Sequence, residues 1–414
     1  MVSKKIRVLV LFGGRSPEHD VSIITGLQTL KALDPERYEG IPLYIAPDGT
    51  WLTGNALADR NTYIPSKETL NNLVPVTIDL TPRKRPRLIT EPRFFWQKSK
   101  IIEFDVALLA FHGLIGEDGR VQGLFDVANV PYTGMRPLAS TVLMDKAATK
   151  HILAGTNVPL LPFWEIERPA QGLLLTVKEL KPLLKDVVFP CCLKPANLGS
   201  SIGVAKVHDL QEVSDVLAAS IFPYDHTALL EPFVENLVEY NLAVRRSKGE
   251  IVTSAIERPK TSSELLDFKA KYMTGGGTKG ESAKSGGAKK GGSKDSGQIS
   301  QGMLSLTREI NPALAPEVEN NIRQWATEVF ARVGGSGSPR LDFLCNGKTG
   351  EIWFNEANPI PGSFGYFLWE AAKTKSVLFS ELMEGLIEEA LYLHARAQIP
   401  HDPTPQGARL FPRR

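Results

Sequence analysis

The stretch E351-I-W-F-N-E-A-N-P-I-P-G-S-F-G-Y-F-L-W-E370 decides how the chain folds and what it holds. Its first half alternates apolar and polar residues, the pattern of a half-buried strand. Side chains two apart on a strand share a face, so Glu356 and Asn358 point the same way. The segment R340-L-D-F-L-C345 behaves alike and puts Arg340 and Asp342 together. Two such strands side by side would gather two carboxylates and an amide, a hard-oxygen set suited to Mg²⁺ bridged to phosphates. Arg340 beside them would stabilise charge on a transferring phosphoryl group. The same spacing also serves a structural ion pair between Arg340 and one carboxylate.

Further strands flank this pair. The continuous apolar runs I6-R-V-L-V-L-F-G-G14 and D105-V-A-L-L-A-F-H-G113 suit strands covered on both faces, which predicts layered α/β structure. In F189-P-C-C-L-K-P-A-N-L-G-S-S-I-G-V-A-K-V207, Lys194 closes an apolar strand. A small, hydroxyl-rich loop with Gly199, Ser200, Ser201 and Gly203 follows. Such a loop admits a phosphate close to backbone N–H groups, although most Gly-Ser loops are only turns. His112 stands at a strand end before a glycine-rich turn with Glu117 and Asp118, where α/β folds place ligands or simply a structural residue. Glu18 and His19 follow the first strand, but their glycines lack the dinucleotide spacing, so hydride transfer is disfavoured.

Composition narrows the function classes. The 414 residues carry 48 basic and 46 acidic side chains, a net +2, and no global field that would recruit nucleic acid or an anionic membrane. Three cysteines, Cys191, Cys192 and Cys345, offer neither a disulfide framework nor metal-ligand spacing, which fits a reducing cytoplasm. No run approaches the roughly 18 apolar residues of a membrane span. The basic cluster Arg83–Arg87 reads as a solvated loop within a less regular stretch, 51 to 104. Residues 274 to 301 are Gly, Ser and Lys with almost no apolar side chain, so they read as a surface insertion without a core. No register of that tract supplies a Walker-type phosphate loop. Apolar residues recurring every four positions, Leu378, Leu382, Leu386 and Phe379, Met383, Ile387, predict a packed helix N-capped by Ser376.

In order along the chain, F12-G-G-R-S-P-E-H-D-V-S-I23, the segment 112–134, M144-D-K146, K194-P-A-N-L-G-S-S-I-G-V204, K269-A-K-Y272, R340-L-D-F343 and N355-E-A-N-P-I-P-G362 closely resemble the D-alanine-D-alanine ligase family of the ATP-grasp superfamily. The resemblance covers most of the chain outside 51–104 and 274–301. It implies an α/β (α+β ATP-grasp) fold with a Rossmann-like N-terminal domain, 1–137, a central ATP-grasp subdomain, 138–232, and a C-terminal one, 233–414. It also implies small-molecule substrates, Mg²⁺ or Mn²⁺ with ATP, no nucleic acid or membrane partner, a cytoplasmic location and a homodimer. The reaction would phosphorylate a first D-amino acid and let the amine of a second attack the acylphosphate, as in peptidoglycan precursor synthesis.

Residue by residue, Lys146 and Lys194 match phosphate-contacting lysines, with Ser201 beside them. Glu231, Val234 and Glu239 match the nucleotide hinge and ribose contact, and Lys271 and Tyr272 the pair on the closing loop. Glu18 matches the acid that binds the first amine, His112 a nearby substrate contact, and Ser200 the loop serine. Arg340 would stabilise the intermediate, while Asp342, Glu356 and Asn358 would hold the metal. The pattern breaks after Gly362. A serine that binds the second carboxylate is expected where Phe367 stands, followed by Leu368. Either Ser363 or Tyr366 reaches that carboxylate, or the acceptor is a different amine or hydroxy acid. A non-catalytic ATP-binding regulator is a third alternative.

Overall fold

A computed structural model describes residues 4–63, 73–92, 96, 98–260 and 308–398. Lys271, Tyr272 and the 274–301 tract lie outside these residues.

The apolar run at the N-terminus forms β1 (Ile6–Gly13), fully buried from Val8 to Phe12. It pairs in parallel with β2 (Tyr38–Ile45) and later with β7 (Val106–Leu109), as a strand covered on both faces should. Between them β3 (Trp51–Thr53), β4 (Val74–Ile78), β5 (Arg87–Thr90) and β6 (Ile101–Glu103) extend the sheet in antiparallel fashion, giving the order β6-β5-β4-β3-β2-β1-β7. The stretch read as irregular therefore contains four short strands, too brief and too proline-rich for their alternation to stand out. Its basic cluster is ion-paired: Arg87 meets Asp79 at 2.7 Å and Arg85 meets Asp105 at 3.0 Å.

Helix His19–Ala32 lies on β1. The approach is closest at Gly26, where an added Cβ would stand 2.4 Å from Phe12 Cγ. Gly26→Ala is therefore expected to cost about 1–3 kcal/mol through forced repacking, read as a lower denaturation midpoint with an unchanged slope.

A second, antiparallel sheet follows, β8 (Trp164–Glu167), β9 (Cys191–Pro195), β10 (Ala205–Val207) and β11 (Thr227–Pro232), in the order β10-β9-β11-β8. The third comprises β12 (Leu237–Ser247), β13 (Glu250–Pro259), β14 (Arg308–Ile310), β15 (Arg340–Asn346) and β16 (Ile352–Asn358), in the order β14-β13-β12-β15-β16. Helix Pro316–Arg332 covers one face of it with Ile322, Ala326, Val329 and Phe330, a helical-period stripe.

Near the C-terminus Leu382, Met383, Leu386 and Ile387 are buried on helix Phe379–Ala397, as their spacing predicts. The helix begins two residues later than a Ser376 cap would place it. Leu378 occupies the N-cap position with its side chain exposed, and the Glu381 carboxylate accepts its N–H at 2.8 Å. The acid three residues into the helix does the capping that Ser376 was expected to do. No described helix is long and apolar enough to cross a membrane.

Candidate active site

A cleft of about 770 Å³, open mouth included, lies between the second and third sheets. At its back the Glu231 carboxylate, on β11 and 1% exposed, is clamped between two lysines. Lys150 Nζ stands 2.5 Å from one oxygen and Lys194 Nζ 2.5 Å from the other. Lys194 also donates to Asn355 Oδ1 at 2.8 Å, crossing from β9 to β16. Burial alone would lift the Glu231 pKa, but the two lysine charges overcome it and hold the carboxyl below its ordinary range. Burial likewise opposes the charge on Lys194, and Glu231 more than offsets it, so its pKa is raised. Lys150 goes the other way: burial lowers it, and the neighbouring lysines keep Glu231 from restoring it.

Lys146 opens helix Lys146–Leu153, whose N-cap Asp145 accepts the Ala148 N–H at 3.0 Å. Its ammonium donates to the Leu198 carbonyl at 2.8 Å and lies 3.2 Å from Glu356 Oε2. Ser201, Val234 and Glu239 also line the cleft. The nucleotide residues expected from sequence thus share one cavity, apart from Lys271, which lies outside the described residues. Lys150 was not foreseen. Its signal was the helical i+4 spacing from Lys146, which puts both lysines on one face.

On the third sheet Asp342 registers with Glu356 and Arg340 with Asn358, so all four share a face. A bulge between Asp342 and Phe343 shifts the register just past the site. The Arg340 guanidinium grips Asp342 with two parallel bonds, 2.7 and 2.6 Å, and Asn358 Nδ2 donates to the same carboxylate at 3.2 Å. The ion-pair alternative is therefore present, within the same oxygen cluster that the metal reading requires. Among the described residues no three His, Cys, Asp or Glu side chains converge as a metal site. The candidate donors are two carboxylates and an amide.

Glu18 and His112 come from the segments that follow β1 and β7 of the first sheet. Glu18 is buried and accepts a hydrogen bond from Ser200 Oγ, which joins the Gly-Ser loop to the N-terminal region. Ser200 and Ser201 both have φ of 57°, a left-handed turn that aims the hydroxyl inward. Gly113 has no substitute here, because a Cβ would stand 2.5 Å from Glu18 Oε2. His112 lies 2.7 Å from Thr25 Oγ1 through Nε2 and 2.7 Å from the Ile360 carbonyl through Nδ1. Burial pushes its pKa down to about 4, so the ring is neutral at pH 7, with Nδ1–H donating to Ile360 and Nε2 accepting from Thr25. Glu117, also unforeseen as a site residue, accepts the N–H groups of Gly113 at 2.5 Å and Ile360 at 2.6 Å. Its only signal was its place in the glycine-rich turn.

The segment after Gly362 departs from expectation. Ser363, at φ 48°, gives its hydroxyl proton to Gln28 Oε1 and its N–H to Thr25 Oγ1 at 3.1 Å. Tyr366 packs its ring 5.0 Å from that of Phe379. Phe367 is half-buried with the Arg308 guanidinium 4.9 Å from its ring centre. Leu368 is fully buried in the core, so its side chain contributes packing rather than a contact in the cleft.

Two family patterns match the chain: "D-ala D-ala ligase N-terminus" over residues 7–135, and "D-ala D-ala ligase C-terminus" over 152–286 and 303–388. The chain belongs to the D-alanine-D-alanine ligase family. Members of this family are ATP-dependent carboxylate-amine ligases. A D-alanine-D-alanine ligase of Thermosipho africanus is 33% identical over 388 residues, covering 93% of each chain. That of Corynebacterium aurimucosum is 32% identical over 397 residues, covering 94% of this chain and 98% of its own. In three dimensions the D-alanine-D-alanine ligase of Coxiella burnetii superposes with a TM-score of 0.71 at 23% identity, covering 95% of this chain and 96% of its own. The fold is thus the ATP-grasp fold of D-alanine-D-alanine ligases, as the ordered motifs implied.

Proposed function

We propose that the chain joins two D-amino acids at the expense of ATP, with D-alanine activated first and a D-alanyl-D-alanine-type dipeptide as product. The observation that carries this reading is convergence. The Lys146–Lys194–Glu231 cavity, the Arg340–Asp342–Glu356–Asn358 cluster and the Glu18–Ser200 pair are linked through Lys146, which touches both Glu356 and the Leu198 carbonyl of the Gly-Ser loop.

ATP occupies the cleft with its base against Glu231 and Val234, its ribose near Glu239 and its phosphates against Lys146, Lys194 and Ser201. Glu18 receives the ammonium of the first substrate and the neutral His112 packs beside it. The γ-phosphoryl group passes to that substrate's carboxylate, ADP leaves, and the second amine attacks the acyl carbon. The oxyanion of the tetrahedral intermediate faces Arg340, and phosphate departs as the peptide bond forms. The oxygen donors of Asp342, Glu356 and Asn358 fit Mg²⁺, with Mn²⁺ as the alternative. A metal there would supply charge neutralisation for the polyphosphate. The roles that the resemblance gives Lys271 and Tyr272, which lie outside the described residues, are part of this reading. The boundaries near 137 and 232, a cytoplasmic location and a homodimer belong to the same reading.

The test is ADP release and product mass with Mg-ATP and D-alanine alone, beside D-alanine mixed with other amines and hydroxy acids. Dipeptide from D-alanine alone supports the reading; turnover only with another acceptor favours a specialised ligase, which the phenyl ring at 367 makes the second reading. Glu356→Gln is expected to slow ADP release about 100-fold and to raise the Mg²⁺ concentration needed for half-maximal rate. Full ADP release at unchanged Mg²⁺ demand would remove Glu356 from the metal site.

A further inference from the structure

The face of the third sheet that carries Asp342 continues beyond it. Glu356, Asp342, Asn241 and Glu257 register directly opposite one another across β16, β15, β12 and β13. Their side chains therefore form one polar row on one face. Ile310 continues the row on β14, and Arg308, two residues earlier, shares its face. Ala243 registers with Arg340 on this face, and the segment leading into helix Tyr366–Glu370 lies over it, with a Cβ at Gly365 falling 3.9 Å from Ala243 Cβ. Phe367, two residues on, meets the edge strand through Arg308, whose guanidinium lies 4.9 Å from its ring centre.

At that edge Arg308 has a fixed posture. Its Nη1 donates to Glu257 Oε2 at 3.0 Å, and its guanidinium sits 4.9 Å from the Phe367 ring centre. Glu257 is 1% exposed and is itself held by Asn241 Nδ2 at 3.3 Å. A guanidinium has five donors in a planar fork, so one bond to Glu257 leaves an edge for another carboxylate. Among the described residues, Ser363 gives its hydroxyl proton to Gln28, and Tyr366 turns its ring onto Phe379. A phenyl ring at 367 donates nothing, and burying a carboxylate beside it without a partner would be prohibitive.

We infer that Arg308 is the specificity-determining residue of the acceptor side: its guanidinium, braced by Glu257 and the Phe367 ring, binds the carboxylate of the second substrate in place of the hydroxyl expected at 367. The acceptor is accordingly an amino acid with a free carboxylate and not a simple amine. This inference rests on the proposed ligase reading and names the substrate class of its second site.

The experiment compares D-alanine with D-alaninamide, which keeps the amine and lacks the negative charge, as acceptors for the full-length enzyme. Wild type is expected to favour D-alanine. Arg308→Gln should raise KM for the acceptor about 10–100-fold and collapse the D-alanine to D-alaninamide ratio toward one, with KM for ATP and for the first D-alanine unchanged. Arg308→Lys should keep part of the preference. Because Arg308→Gln strands a buried Glu257, the Glu257→Gln/Arg308→Gln pair, which removes both charges, is assayed in parallel and should show the same lost preference. An unchanged ratio in these variants, or an equal fall with both acceptors, overturns the inference while leaving the ligase reading intact. A wild-type enzyme that makes no product from either acceptor overturns the ligase reading itself.

Discussion

Arg340→Ala is expected to lower the rate of dipeptide formation by about 1,000-fold, with KM for ATP changed by less than about threefold. The guanidinium is 19% exposed and is held by two bonds to Asp342, and in the proposed reaction it faces the point where negative charge develops on the intermediate. Charge stabilisation by a preoriented donor matters most in the transition state, so the loss should fall on kcat rather than on nucleotide binding. The substitution also releases Asp342 from its bidentate partner, which could disturb the oxygen cluster. Arg340→Lys separates the two effects. It keeps a cation beside Asp342 and loses the fork, and is expected to recover no more than about tenfold of the rate. A rate within tenfold of wild type for the alanine variant would show that Arg340 is only the structural ion-pair partner of Asp342.

Glu231→Gln is expected to be the most destabilising single change at the site, by about 3–5 kcal/mol, read as a lower thermal midpoint. The carboxylate lies between two buried ammonium groups at 2.5 Å each. Removing its charge strands both cations where their side chains are only 1% and 7% exposed. Adding Lys150→Gln should restore part of the loss, since one stranded cation goes with it. The pH dependence has a definite sign. The Glu231 pKa is depressed in the folded protein, so its stabilisation is present above the ordinary glutamate range and is lost as pH falls through the folded value. Wild type should therefore lose stability in acid more steeply than Glu231→Gln. Parallel acid unfolding curves for the two proteins would contradict the charge-clamp account. The variant should also bind ATP weakly, because the same carboxylate lines the cleft in which the nucleotide is proposed to bind.

Much of this site was legible from spacing. Arg340, Asp342, Glu356 and Asn358 share a face because strand periodicity is a local property, and their strands pair as adjacent hydrogen-bonded neighbours. Lys146 and Lys194 carried the resemblance that implied a common nucleotide site, and both line one cleft. The strands between 51 and 104 were not legible, since segments of three to five residues give too few alternations to register. Ser376 was misplaced as a cap for a related reason. Several residues near a helix start can cap it, and packing of the helix face selects among them.

The sequence by itself determined the fold class, the order of the motifs and the chemical character of the site, because each is written in local periodicity and in short strings of particular side chains. Only the tertiary structure decided which groups are paired. Lys150 closes on Glu231 from 81 positions away, and Glu117 reaches the Ile360 N–H across 243. The acceptor side shows the same division. That Phe367 cannot bind a carboxylate follows from its chemistry alone, but that Arg308 lies over its ring depends on how β14 and helix Tyr366–Glu370 meet over one sheet face. Contacts of this kind are fixed by burial and charge among segments distant in the chain, and no local pattern records them.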